Sequence, residues 1–116
     1  MANLPEPKQG EVWDILLDPI VGREQGGRRP ALVVSGDDFN QLPNGLHFIV
    51  PITSRNRGLV LHVPIFSPEG GLEKDSVIMC DQIKSVSALR FKRRRGTVSP
   101  STLDQVRELL RLIISQ

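Results

Sequence analysis

Leu46-His47-Phe48-Ile49-Val50-Pro51-Ile52-Thr53 is the stretch whose reading decides the fold. Leu46, Phe48, Val50 and Ile52 share one face, and His47, Ile49, Pro51 and Thr53 share the other. That alternation is a strand, and the Asn44-Gly45 turn signal sits just ahead of it. Upstream, Ala31 to Ser35 is short, apolar and β-branched, as a buried strand requires. Further back, Val12, Asp14 and Leu16 alternate with Glu11, Trp13, Ile15 and Leu17 until Asp18-Pro19 ends the run. Between these strands lie two loops, one rich in glycine and charge, the other spanning Asp37 to Gly45. Downstream, Leu59 to Phe66 alternates again with Leu61, Val63 and Ile65 inward. Pro68-Glu69-Gly70-Gly71 then turns the chain into strands at Ser76 to Cys80 and Gln82 to Val86. Five to seven short strands separated by turn signals predict a small β-barrel or strongly bent sheet.

The period changes at the C-terminus, so the class is mainly β with a C-terminal α-helix. Ser99-Pro100 reads as an N-cap followed by proline at the first helical position. Leu103, Val106, Leu110 and Ile113 recur at helical spacing, and Leu109, Leu112 and Ile114 widen the stripe. A helix apolar over so much of its circumference is expected to pack on its own sheet and on a second copy of the chain, giving a homodimer. Residues 1–9, with Pro5 and Pro7, read as a flexible N-terminal tail, and 10–116 as a single domain. The length of 116 residues suits one core.

Composition excludes several classes. No apolar run reaches the roughly 18 to 20 residues of a membrane span, and the mixed-charge start resembles neither a signal nor a transit peptide; a cytoplasmic protein is expected. Cys80 is the sole cysteine, which rules out an internal disulfide or a multi-cysteine zinc site. Its apolar setting, Val77-Ile78-Met79-Cys80, suits a buried small hydrophobe. The two histidines, His47 and His62, lie in strand patterns without a carboxylate at ligand spacing. Asp37-Asp38 is the one adjacent acidic pair, and it suits a turn. Neither a metal nor another cofactor is expected to take part in the chemistry.

Net charge is only +2, so the distribution of charge is what informs. Five cations fall between Arg90 and Arg95, with others at Arg23, Arg28, Arg29, Arg55 and Arg57. Such clusters suit a polyanion, either nucleic acid or an acidic protein, and each suits a solvated surface equally well. In the loop Gly22 to Pro30, Gly26-Gly27 allows close backbone approach to a ligand. Arg28 and Arg29 follow at the edge of a strand, where a guanidinium can engage a phosphate bidentately. The same residues also fit an ordinary glycine turn carrying two exposed arginines.

Gly22-Arg23-Glu24-Gln25-Gly26-Gly27-Arg28-Arg29-Pro30-Ala31-Leu32-Val33-Val34 resembles the signature of the MazF/PemK family of toxin endoribonucleases. Three further segments match in order: Gly10-Glu11-Val12-Trp13, Val50-Pro51-Ile52-Thr53-Ser54, and Asp75 through Ile83. The resemblance implies an SH3-like barrel with a C-terminal helix and a homodimer. It also implies metal-independent, sequence-specific cleavage of single-stranded RNA and neutralisation by an acidic antitoxin. It places Arg29 and Thr53 as catalytic residues, with Glu24 as a proton shuttle or as the residue orienting Arg29. It assigns RNA contacts to Gln25, Gly26, Gly27, Arg28, Ser54, Arg55, Asp81 and Gln82. One branch of the family uses an arginine two residues before the aspartate. Met79 stands there instead, so Asp81 reads as structural or base-contacting. His62 is expected on an exposed or interface face. Two other readings compete: a gyrase-poisoning toxin of the CcdB type, which resembles the same barrel, and a non-catalytic barrel that binds RNA or protein.

Overall fold

A computed structural model describes residues 4–17 and 27–115. Its strands are β1 (Glu11–Leu16), β2 (Arg28–Val33), β3 (Leu46–Thr53), β4 (His62–Ile65), β5 (Ser76–Met79), β6 (Lys84–Ser87) and β7 (Phe91–Thr97). Two helices, α1 (Asp37–Asn40) and α2 (Pro100–Ile114), complete the order. All pairings are antiparallel, in the order β4-β5-β3-β2-β1-β7, with β6 also paired to β3. The sheet bends strongly without closing, because β4 and β7 remain edges among the described residues.

The bend explains why the central strands are apolar on both faces. Val12, Leu32, Val50, Ile52, Val63, Ile65 and Ile78 join Val106 and Leu110 of α2 in one cluster. Ile15, Ala31, Val33, Ile49, Val86 and Phe91 form a second cluster, with Trp13 and Leu17 against it. Successive residues of one strand therefore enter different clusters, as the alternation of Cβ directions requires. His47 belongs to this interior: it is 3% exposed, its Nδ1 lies 3.1 Å from Asn40 Oδ1, and its ring meets Phe91 edge-on. Burial lowers its pKa below the ordinary histidine value.

Helix α2 follows its sequence pattern. The Ser99 side chain accepts from Thr102 N–H and Pro100 opens the first turn. Val106 and Leu110 are buried, Leu103, Leu109 and Ile113 are half-buried, and Leu112 and Ile114 stay exposed. Residues ahead of β1 are also held: Gln9 N–H donates to Asp37 Oδ1 and its Nε2 to Val34 O.

Three features depart from the sequence reading. The Asp37–Gly45 loop contains the single turn of α1. Cys80 to Gln82 forms a 3₁₀ turn, so the following strand begins only at Lys84. The basic run from Phe91 onward is strand β7. Four consecutive charged positions, Lys92 to Arg95, leave no apolar alternation there, yet the backbone hydrogen-bonds along β1.

Gly71 sets how the turn after β4 meets β7. Gly71 has φ +71°, and a Cβ there would sit 2.1 Å from the Arg95 carbonyl oxygen. Gly71→Ala should therefore cost about 3 kcal/mol or more in urea unfolding, from backbone strain plus overlap with fixed backbone. Gly36→Ala, with ordinary φ and open space, should be near neutral. Cys80 yields a pH prediction as well. It is fully buried, and burial, aided by the nearby Asp81 charge, pushes its thiol up to about 11. The folded state thus favours the protonated thiol. That stability is intact below the ordinary value of 9.0 and is lost as pH rises through about 11. The loss should approach about 3 kcal/mol, and Cys80→Ala should remove this alkaline slope.

Candidate active site

Strand pairing brings the central pair together. Ala31 lies opposite Pro51, and continuing that register by two residues sets Arg29 level with Thr53 on the neighbouring strand. Arg29 is within β2, paired opposite Ile15 of β1, two residues beyond the last residue of β2 that pairs with β3. Sequence reading began this strand only at Ala31; it starts earlier, at Arg28.

Arg29 and Thr53 border a cavity of about 500 Å³, together with Ser54, Arg55, Asp81 and Gln82. Ser54 and Arg55 arrive on the chain leaving β3, where Arg55 N–H donates to Thr53 Oγ1. Asp81 and Gln82 sit on the 3₁₀ turn after β5, which is tied to β4 by Cys80 N–H donating to Leu61 O. Arg57, from the basic pair noted in the sequence, also lines the wall with Met79 and with Leu59, to which no sequence argument pointed. Gly27 is buried and Arg28 exposed, and neither borders this cavity. Glu24, Gln25 and Gly26 lie outside the described residues.

His62 is not exposed, and it reaches the groove. Its side chain is 5% exposed, and the ring forms a wall shared by this cavity and a cleft of about 780 Å³ between β4 and α2. Nε2 lies 3.3 Å from Asp81 Oδ1, yet neither ring nitrogen makes a hydrogen bond. The strand register could have revealed the pair, because His62 lies opposite Met79, two residues before Asp81. Alternation alone assigned His62 outward; the helix packed beside β4 covers it.

A second, smaller cavity of about 190 Å³ shares Arg29, Ile52, Thr53 and Ser54 with the first. Arg29 and Thr53 therefore form a ridge with space on either side. A guanidinium beside a hydroxyl on adjacent strands can stabilise negative charge on a bound oxyanion. Among the described residues there is no group of three or more His, Cys, Asp or Glu side chains able to hold a metal.

A family model described as PemK-like, MazF-like toxin of type II toxin-antitoxin system matches residues 8–114. The chain belongs to the PemK/MazF toxin family. Among curated family relatives, endoribonuclease MazF9 of Mycobacterium tuberculosis is 36% identical over 90% of this chain and 93% of its own length. Endoribonuclease EndoA of Bacillus subtilis is 32% identical over 93% and 94%, respectively. The Escherichia coli endoribonuclease toxin MazF is 32% identical over 98% and 99%. Among solved structures, MazF from Deinococcus radiodurans superposes with a TM-score of 0.80 at 29% identity, covering 97% of this chain and 99% of that one. The MazF fold and the small bent sheet with its C-terminal helix therefore agree.

If the Arg29–Thr53 ridge is the anion site of this MazF-like toxin, sulfate should report it. Titrated into isotopically labelled protein, it should shift the Thr53 and Ser54 amide resonances and leave those of Arg93 and Arg94 in place. Arg29→Ala should abolish the response; equal shifts on β7 would point to diffuse surface charge instead.

Proposed function

We propose that this toxin is an endoribonuclease that cuts single-stranded RNA at specific sequences without a metal, with Arg29 and Thr53 at the scissile phosphate. Endoribonuclease activity accords with the curated relatives, each of which carries that name. The observation that carries the residue assignment is the side-by-side placement of Arg29 and Thr53 on paired strands at a shared cavity.

The ribose 2′-oxygen attacks the adjacent phosphorus and the P–O5′ bond breaks. The products are a 2′,3′-cyclic phosphate and a 5′-hydroxyl end. Negative charge grows on the non-bridging oxygens, where the Arg29 guanidinium and the Thr53 hydroxyl donate hydrogen bonds. The 2′-OH proton must leave and the 5′-oxygen must gain one. Arginine remains protonated under ordinary conditions, so it serves as a cation and not as a base. Glu24 is the carboxylate that the family resemblance assigns to shuttling or to orienting Arg29. In the described cavity wall, Asp81 backed by the buried His62 offers a second carboxylate for the same task. Gln25, Gly26, Gly27, Arg28, Ser54, Arg55 and Gln82 complete the assignment as RNA contacts.

The exposed Leu112 and Ile114 of α2 favour a homodimer. Solved complexes of MazE with MazF from Deinococcus radiodurans, one with a TM-score of 0.75 at 27% identity, favour an acidic MazE-like antitoxin as the partner. No described helix is long and apolar enough to cross a membrane, and the cytoplasm is the proposed site of action. The gyrase-poison reading has no support in the named relatives.

Purified protein incubated with long unstructured RNA in excess EDTA should give discrete cuts ending in cyclic phosphates. Arg29→Ala should slow cleavage by roughly 100- to 1,000-fold, and Thr53→Ala by about tenfold. An intact fold without cutting would refute the nuclease. The proton acceptor follows from pH–rate profiles: whichever of Glu24→Gln and Asp81→Asn flattens the ascending limb removes the base.

A further inference from the structure

The three consecutive arginines of the basic run meet three different surroundings in the fold. Arg94 is exposed and stands 3.9 Å from Glu11. Arg93 is 64% exposed and pairs with Asp14 Oδ2 at 3.2 Å. Arg95 differs: its side chain is only 19% exposed, and Nε donates to Asp14 Oδ1 at 2.6 Å.

Backbone geometry accounts for the difference. On β1, Trp13 pairs with Arg94 and Val12 with Gly96, so Arg95 is passed over as the extra residue of a β-bulge. Bulges re-aim a side chain and recur beside active sites. Here the bulged residue is held from several directions. Asp14, itself 6% exposed, grips one edge of the guanidinium, and the Gly71 carbonyl lies 3.4 Å from Nη1. Gly71 and Gly96 admit the close backbone contact that seats the segment, since a Cβ on either would meet backbone atoms at under 3.0 Å. Arg90 is tied to the Leu16 carbonyl at 2.9 Å, but among the ion-paired arginines of β7 only Arg95 is drawn largely out of solvent.

Arg95 lines the smaller cavity, the one that shares Arg29 and Thr53 with the main groove, and Lys74 lines it too. An RNA strand crossing the Arg29–Thr53 ridge has a phosphate on each side of the scissile one, and this cavity opens on one of those sides. We propose that Arg95 is a second phosphate-binding arginine, which holds the phosphodiester next to the scissile one, with Lys74 beside it and Asp14 as its positioning residue. The inference rests on the nuclease reading above and adds a subsite to it. A guanidinium already oriented by a buried carboxylate loses little freedom when it binds. Glu73, on the same wall, leaves a carboxylate to accept from a base amino group.

Short RNAs containing one mapped cleavage site test this, with each linkage replaced in turn by an uncharged methylphosphonate. Neutralising one linkage adjacent to the cut should slow the wild type by roughly 10- to 100-fold. Arg95→Gln should slow the native RNA by a similar factor, and the two changes together should cost no more than either alone. Asp14→Asn should lose the same linkage dependence, and Arg95→Lys should restore part of it. Should Arg95→Gln fail to fold with Asp14 left to Arg93 alone, the Asp14→Asn, Arg95→Gln double variant removes both charges. Multiplying losses, or indifference of the wild type to both flanking linkages, would overturn the subsite while cleavage itself stands. Failure of the wild type to cut any RNA would overturn the nuclease reading instead.

Discussion

The pairing of β2 with β3 governs the rest of the molecule. Leu32 faces Val50 and Val33 faces Ile49, and all four side chains are fully buried. A slip of one residue would exchange the two faces of β2 and send each apolar side chain to the wrong cluster. Because both faces are packed, the register has no slack. Arg29 and Thr53, at the open end of the same pair, inherit that rigidity at no cost of their own. Positioning of this kind is what a transition-state clamp needs, since oriented donors need not reorganise when charge develops.

Electrostatic selection follows from the same frame. The chain is nearly balanced, with 15 cations and 13 anions among its Lys, Arg, Asp and Glu residues. What distinguishes its arginines is therefore where each is fixed. Asp14 on β1 faces two arginines of β7. A carboxylate so buried requires partners that satisfy it. The exposed members of the run contribute little beyond screened surface charge.

Much of this was legible in the sequence. Period-two alternation located β3, and the Ser99-Pro100 signal located the start of α2, because each depends on local chemistry. Arg29, Thr53, Ser54, Arg55, Asp81 and Gln82 could be named together only through the family resemblance, since their meeting depends on register between distant strands. Other features resisted reading. Strand β7 hides behind consecutive cations, and its identity rests on backbone bonds to β1. The bulge at Arg95 leaves no residue signature. His62 alternates like an outward residue, and only the packing of α2 beside β4 buries it. Arg28 was expected in the groove as a neighbour of Arg29, yet it borders neither cavity at the Arg29–Thr53 ridge.

The two rims of the sheet carry a consequence for solubility. Strand β4 is four residues long and contains Pro64, which offers no amide hydrogen to an incoming strand. Strand β7 is irregular at two points and studded with Lys92, Arg93 and Arg94. Short length, proline, bulges and charge are the devices that stop sheets from adding to one another end to end. A chain rich in buried β-branched segments is otherwise at risk of stacking into fibrils as it accumulates. With these two rims blunted, strand addition at them is disfavoured, and association is steered toward faces and helix surfaces, where side chains rather than backbone decide who binds.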